Sequence, residues 1–315
     1  MPAPDRRLLV TADLPGFPAV LPAGLSPDRW TGGDRASLML AAAGSDALLV
    51  TANEEVDGAL LRAAGSALRV VGTYSTGTDH IDLSACERAG VRVVTAEGAL
   101  ASAVAEHTLG LLLSCARRIV EADRFVRSGA PWRWEADAFL GTQLSGRRLG
   151  VVGLGAIGSE VASRARAFGM EVHALHHRPG APPGVTPHEA LDGLMRVSDF
   201  LTIHVPLTPR TERMIDKSML AELPAGAILV NTSRGRIVDQ SALIEMLESG
   251  HLGGAALDVF EDEPLVPAAL RDSPRTVLTP HIGSATTEAR KSMTTAVLGR
   301  IGQALSLAVQ RKPNP

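Results

Sequence analysis

The sequence predicts an α/β fold with two doubly wound parallel-sheet domains, and three observations point there. Short apolar stretches of strand length alternate with helical patterns along almost the whole chain. A glycine-rich turn, Gly153, Gly155 and Gly158, stands where one of those strands passes into a helix. At 315 residues the chain is also long for a single compact core.

The alternation starts at the N-terminus. Strands are expected at 8–11, 47–51, 68–72 and 91–95, with helices at 34–43, 55–64 and 83–89 between them. The proline-rich span 15–27 is expected to be a loop. After the third strand, Tyr74-Ser75-Thr76-Gly77-Thr78-Asp79-His80 carries small residues able to turn sharply. Such a turn can aim backbone N–H groups at a carboxylate, although glycine and threonine suit plain turns equally well. Residues 99–120 are expected to form the longest helix, rich in Ala and Leu and apolar nearly all round. The span 125–144 is irregular and holds two of the three tryptophans, Trp132 and Trp134. They serve either as interface anchors or as a loop tucked against its own domain.

Next comes the stretch that carries chemistry. Strand 148–152 runs into G-x-G-x-x-G, then into a helix expected at 159–168, then into a second strand at 171–175. Gly153 allows the tight turn, Gly155 a close backbone approach, and Gly158 tight helix–strand packing. A diphosphate would sit on the N–H groups at Ala156 and Ile157, where the helix dipole favours negative charge. This context makes the motif a dinucleotide site and the domain Rossmann-like. An NAD-preferring site normally ends the second strand with an acid for the ribose hydroxyls. Here His176-His177-Arg178 follows instead. Nothing there repels a ribose phosphate, and Arg178 can pair with one. The expected cofactor is therefore NADP(H), with NAD(H) still usable.

Strands at 198–205, 227–231, 252–260 and 276–279, with helices at 217–222 and 240–249, complete the series. Three of the strand ends carry unusual residues: Arg234, Glu263 and His281. Reducing a 2-oxo acid leaves negative charge on the former carbonyl oxygen, so a proton donor and a cation are needed there. His281 can donate the proton, Glu263 can orient its ring and favour the imidazolium, and Arg234 offers a planar fork for a carboxylate.

Composition excludes other classes. Lys plus Arg number 31 against 34 Asp plus Glu, and the net charge of -3 offers no attraction to nucleic acid or to acidic membranes. No apolar run reaches membrane-spanning length. Met1 to Val10 lacks a signal-peptide pattern, so a cytoplasmic location is expected. Cys86 and Cys115 read as reduced thiols, and no metal site is expected.

The ordered motifs Val152-Gly153-Leu154-Gly155-Ala156-Ile157-Gly158, His204-Val205-Pro206-Leu207-Thr208, Asn231-Thr232-Ser233-Arg234-Gly235, Asp258 to Pro264 and Pro280-His281-Ile282-Gly283-Ser284 resemble the D-isomer-specific 2-hydroxyacid dehydrogenase family. The resemblance implies a cofactor domain at 100–285 inserted into a substrate domain of 1–99 and 286–315. It implies Arg234 as substrate anchor, Glu263 as its histidine's partner and His281 as acid/base, with Thr76, Gly77 and Ser284 also contacting substrate. It adds His177, Val205, Pro206, Thr232, Asp258 and Gly283 to the cofactor contacts, and it implies a homodimer. The stretch around Arg178 is similar to the NADPH-dependent glyoxylate/hydroxypyruvate reductases. Many relatives carry Asn and Pro where this chain has Thr95-Ala96-Glu97-Gly98. No regulatory domain follows residue 315, which argues against the longer phosphoglycerate dehydrogenases.

The expected reaction is thus reduction of a small 2-oxo acid, such as glyoxylate or hydroxypyruvate, by NADPH. An alternative keeps the chemistry with NADH and a bulkier acid: phenylpyruvate, phosphoglycerate or a sugar acid. Residues around Tyr74, Leu100 and the tryptophan loop would decide between them. A third reading is a dinucleotide-sensing, corepressor-like binding protein. The presence of Arg234, Glu263 and His281 together disfavours it, since sensing needs only the glycine turn.

Overall fold

The computed structural model describes residues 5–17, 19, 21–175 and 182–310. The chain divides into two compact units, one of residues 1–100 with 285–315, the other of 101–284.

The first unit begins β1 (Arg6–Val10), β2 (Leu25–Arg29), α1 (Arg35–Ala42), β3 (Ala47–Val50), α2 (Gly58–Ala64), β4 (Val70–Thr73), α3 (Leu83–Arg88) and β5 (Arg92–Thr95). Its strands form one sheet in the order β2-β1-β3-β4-β5, every pairing parallel. Each helix is started by an aspartate: Asp34, Asp57 and Asp82 accept from the backbone N–H of Ser37, Leu60 and Ala85. Such a cap is worth about 1 kcal/mol. The end of the span expected as loop, 25–27, instead opens strand β2. Pro27 obscured it, since proline cannot donate to a ladder and is confined to sheet edges, which is where β2 lies.

In the second unit, α4 (Ala101–Ala116) and α5 (Ile119–Arg127) precede β6 (Arg148–Val152), α6 (Ala156–Ala167), β7 (Glu171–Leu175), β8 (Val185–His188), α7 (Leu191–Val197), β9 (Phe200–Ile203) and α8 (Lys217–Glu222). There follow β10 (Ile228–Asn231), a 3₁₀ turn at Gly235–Ile237, α9 (Gln240–Glu248), β11 (Gly254–Leu257), α10 (Ala268–Arg271) and β12 (Thr276–Leu278). The sheet runs β12-β11-β10-β9-β6-β7-β8, again parallel throughout. The order reverses between β6 and β9, and the C-terminal ends of all these strands share one edge. Ligands of open α/β sheets bind at such a switch point. The chain returns to the first unit through α11 (Thr287–Gln310). Val297 and Ile301 of this helix press so closely on β4 that a Cβ at Gly72 would lie 2.6 Å from Ile301 Cδ1.

Several expectations need correction. The helix expected at 99–120 is two helices, and α11, with 24 residues, is longer than either. The break sits at Arg118, whose φ is 53°. Ala116's carbonyl accepts from the N–H of Thr142, 2.7 Å away, instead of extending the helix. Arg118 then grips Glu121 at 2.8 and 2.6 Å. Helix α6 starts at Ala156 rather than 159. Strand β8 escaped notice for the same reason as β2: it is an edge strand containing proline, Pro187. The tryptophan loop is not tucked in, for Trp132 is 69 % and Trp134 82 % exposed. Both cysteines are free thiols. Burial pushes the Cys115 thiol up to about 12, so it carries no thiolate at neutral pH. Among the described residues no helix is long and apolar enough to cross a membrane, and no His/Cys/Asp/Glu group is arranged to hold a metal.

Candidate active site

Strand β6 is buried from Leu149 to Val152 and delivers the chain to the glycine turn. Gly153 has φ +100°, open to glycine and strained for other residues. At Gly158 a Cβ would lie 1.9 Å from the Gly153 carbonyl oxygen, so α6 can pack on its own turn only without a side chain there. Gly155 differs: a Cβ there would meet nothing within 4 Å. Gly155 is also the N-cap of α6 and offers no side chain to cap the first-turn N–H groups, those of Ala156 and Ile157 among them. An open cradle of backbone donors at a helix N-terminus fits a diphosphate, so the residues present suit a dinucleotide. Val205, beyond β9, closes one flank, since a Cβ at Gly153 would be 2.8 Å from Val205 Cγ1. Pro206 beside it is exposed.

The β10 end is braced by Asn231, whose side-chain oxygen accepts from Ser233 N at 3.0 Å while its amide donates to Arg234 O at 2.9 Å. The Ser233 hydroxyl donates to Val205 O, tying this turn to the one after β9. Thr232 Oγ1 is 2.9 Å from Thr108 Oγ1 on α4. Gly235 lets the β10 turn lie directly on the β11 turn, for a Cβ there would sit 1.9 Å from Phe260 C.

That approach brings the Arg234 charge close enough to act on the Glu263 carboxyl. His281 Nδ1 is 2.8 Å from Glu263 Oε2, while Glu263 Oε1 accepts from Phe260 N at 3.0 Å. Burial raises the Glu263 carboxyl's pKa, but the hydrogen bond and charge of His281, the Phe260 N–H and the nearby Arg234 charge bring it below the ordinary glutamate value. A carboxylate on Nδ1 fixes the ring so that Nε2 faces away from it and can donate a proton. His281 holds φ +53°, a left-handed backbone that histidine tolerates better than most residues.

Asp258 holds that backbone. Its carbonyl accepts from His281 N at 2.8 Å, its Oδ1 from Ile282 N at 2.8 Å, and its Oδ2 from Gly283 N at 2.8 Å. The Thr279 hydroxyl donates to Oδ1 at 2.6 Å, and His107 Nε2 lies 3.2 Å from the same oxygen. Asp258 is 1 % exposed, and both its carboxylate oxygens are already engaged within the chain.

Of the residues expected at the site, Gly153, Gly155, Ala156, Ile157, Gly158, Val205, Pro206, Thr232, Arg234, Asp258, Glu263, His281, Gly283 and Ser284 belong to the second unit, beyond strands β6, β9, β10, β11 and β12. Thr76 and Gly77 belong to the first unit, beyond β4, and Gly77 N already donates to Ser75 Oγ at 3.0 Å. Tyr74, expected near the pocket, is buried and donates its hydroxyl to Arg290 O of α11 at 2.6 Å. His177 and Arg178 lie outside the described residues. Sequence reasoning named Asn231 within a motif without giving it a role, and missed His107 and Thr108. The signal for the latter two was present: Glu106-His107-Thr108 is a polar run inside an otherwise apolar helix.

Residues 109–283 match the family described as D-isomer specific 2-hydroxyacid dehydrogenase, NAD binding domain. The chain is 43 % identical over 256 residues to a glyoxylate reductase of Thermococcus litoralis, covering 79 % of this chain and 77 % of that protein. It is 39 % identical over 284 residues to the D-3-phosphoglycerate dehydrogenase of Mycobacterium leprae, covering 88 % of this chain and 53 % of the relative, so it spans about half that protein's length. An NADPH-dependent glyoxylate/hydroxypyruvate reductase of Sinorhizobium meliloti, solved with NADP and malonate, superposes with a TM-score of 0.83 at 32 % identity, covering 96 % of this chain and 94 % of that one. With the glycine cradle and the strand-end residues on one parallel sheet, these likenesses establish that the chain belongs to the D-isomer-specific 2-hydroxyacid dehydrogenases, a family of nicotinamide-dependent oxidoreductases.

Proposed function

We propose that the protein reduces a small 2-oxo acid, glyoxylate or hydroxypyruvate, to the D-2-hydroxy acid with NADPH. The observation that carries the reading is the 2.8 Å His281–Glu263 pair beside Arg234, at the same sheet edge as the glycine cradle. A dinucleotide held by its diphosphate in that cradle would supply a hydride to the keto carbon. Arg234 grips the substrate carboxylate and polarises the carbonyl. His281 gives its Nε2 proton to the carbonyl oxygen as charge develops there. Glu263 balances the imidazolium before transfer and holds the ring afterwards. A glyoxylate reductase and an NADPH-dependent glyoxylate/hydroxypyruvate reductase among the relatives support this choice of substrate. Loss of NADPH absorbance across a panel of 2-oxo acids tests it: turnover is expected with glyoxylate or hydroxypyruvate, and a folded protein inert to every acid refutes it.

The preference for NADPH rests on Arg178 and on the absence of an acid after Leu175. Arg178→Ala is expected to raise the KM for NADPH about 10-fold or more, the worth of a charge-assisted bond to phosphate, with NADH little affected. Equal losses for both cofactors would remove the phosphate role. Ile119 and Val126 of α5, with Trp132, Trp134 and Leu140, are large apolar residues left exposed. They support the expectation of a homodimer. The two free thiols suit a cytoplasmic location.

A further inference from the structure

We propose that His107 is a positioning residue for His281, acting from α4 through Asp258. The inference deepens the reading above and rests on it for its kinetic consequences. The proton inventory assigns the tautomer. Thr279 Oγ1 spends its one hydrogen on Asp258 Oδ1, 2.6 Å away. It can therefore only accept from His107 Nε2, which lies 3.1 Å from it and 3.2 Å from Asp258 Oδ1. Were Nε2 bare, its lone pair would face a carboxylate oxygen. So Nε2 carries a hydrogen, shared between the hydroxyl and the carboxylate.

The consequence reaches the reacting ring through the backbone. Asp258 orders the three consecutive N–H groups of His281, Ile282 and Gly283 with its carbonyl and both carboxylate oxygens. Those bonds hold His281 in its left-handed conformation, a strained state that the surroundings must offset. They need Asp258 ionised and unrotated. Burial raises the Asp258 carboxyl's pKa, the hydrogen bond from His107 heads the contributions that lower it, and the net shift is downward. A depressed carboxylate stabilises above its unfolded-state value and loses that stabilisation as pH falls through its folded value. Without His107 the folded value rises, and acid must release the His281 turn at higher pH. Helix α4 reaches this edge twice more, with Thr108 at Thr232 and with Val104 against Gly283. It is thus a buttress beneath the β10, β11 and β12 turns.

The test compares His107→Phe, which keeps a ring and removes the donor, with His107→Gln, which keeps an N–H. Expected for His107→Phe are a kcat loss of about 10- to 100-fold, as for a slightly misplaced catalytic group, and a KM for NADPH within about threefold of the parent. Its acid limb of kcat should move to higher pH, and the Ile282 and Gly283 amides should exchange faster with deuterium. His107→Gln should recover most of the rate. A parental pH profile with parental exchange in His107→Phe overturns the proposal, as does a glutamine variant no better than phenylalanine. Should His107→Phe not fold, the imidazole ¹⁵N shifts of the parental protein decide the matter. A hydrogen on His107 Nε2 is expected, and a bare Nε2 overturns the proposal. Amide exchange needs no turnover. Faster exchange in a protein inert to every 2-oxo acid would therefore sink the reductase reading while leaving the clamp intact.

Discussion

Replacing His281 is expected to lower kcat by about 10²- to 10⁴-fold, the usual worth of a positioned general acid, with little change in dinucleotide affinity. Its Nδ1 is occupied by Glu263 at 2.8 Å, so the reaction draws on Nε2. The choice of variant matters. His281 has φ +53°, where alanine is strained and asparagine is tolerated. His281→Asn therefore separates loss of the acid from loss of the turn, and the two variants should fall together in kcat. Glu263→Gln keeps a partner for the ring but withdraws the charge. Its effect should be smaller than that of His281→Asn and should fall on kcat rather than on the KM for NADPH. Turnover unchanged in His281→Asn would take His281 out of the acid role.

Gly158→Ala is expected to impair folding of the cofactor unit and to abolish dinucleotide binding. The new methyl would stand 1.9 Å from Gly153 O and 3.1 Å from Gly153 C, and backbone atoms cannot rotate out of the way. Either α6 lifts from β6 or the turn opens, at a cost of about 1–3 kcal/mol or more for overpacking. Gly155→Ala is the matched control. Its methyl meets nothing within 4 Å, so thermal stability should hold. Binding should still weaken by about 10-fold or more, because the methyl would fill the space a diphosphate needs. Calorimetry with dinucleotide titration distinguishes the two: lower Tm and lost binding for Gly158→Ala, unchanged Tm and weakened binding for Gly155→Ala. Full dinucleotide affinity in both would refute the cradle.

Much of this was legible in the chain because local rules and tertiary needs agree. Strands such as β3 and β10 are runs apolar but for the terminal Asn231, buried at every position, and read as interior parallel strands. Helices α8 and α9 announce themselves with Asp216 and Asp239, whose side chains accept from Met219 and Ala242. Edge strands β2 and β8 were hidden because an edge requires neither a full ladder nor an apolar face, and proline is admitted. The break at Arg118 was equally hidden. Nothing local ends the helix there; the competitor is Thr142, far along the chain, bonding Ala116 O.

The sequence alone determined the chemistry available: a glycine turn between strand and helix, and one arginine, one glutamate and one histidine after successive strands. Residue type and short-range spacing suffice for that, because turns, caps and alternation are local. Tertiary structure decided which groups meet. Only the parallel sheet puts the ends of β10, β11 and β12 on one edge, and only the bare Cα of Gly235 lets two of their turns touch. Likewise only packing brings His107, distant in the chain, to Asp258. Hydrogen bonds of this kind depend on distances of about 3 Å between residues far apart in sequence, and such distances exist only once the core has formed.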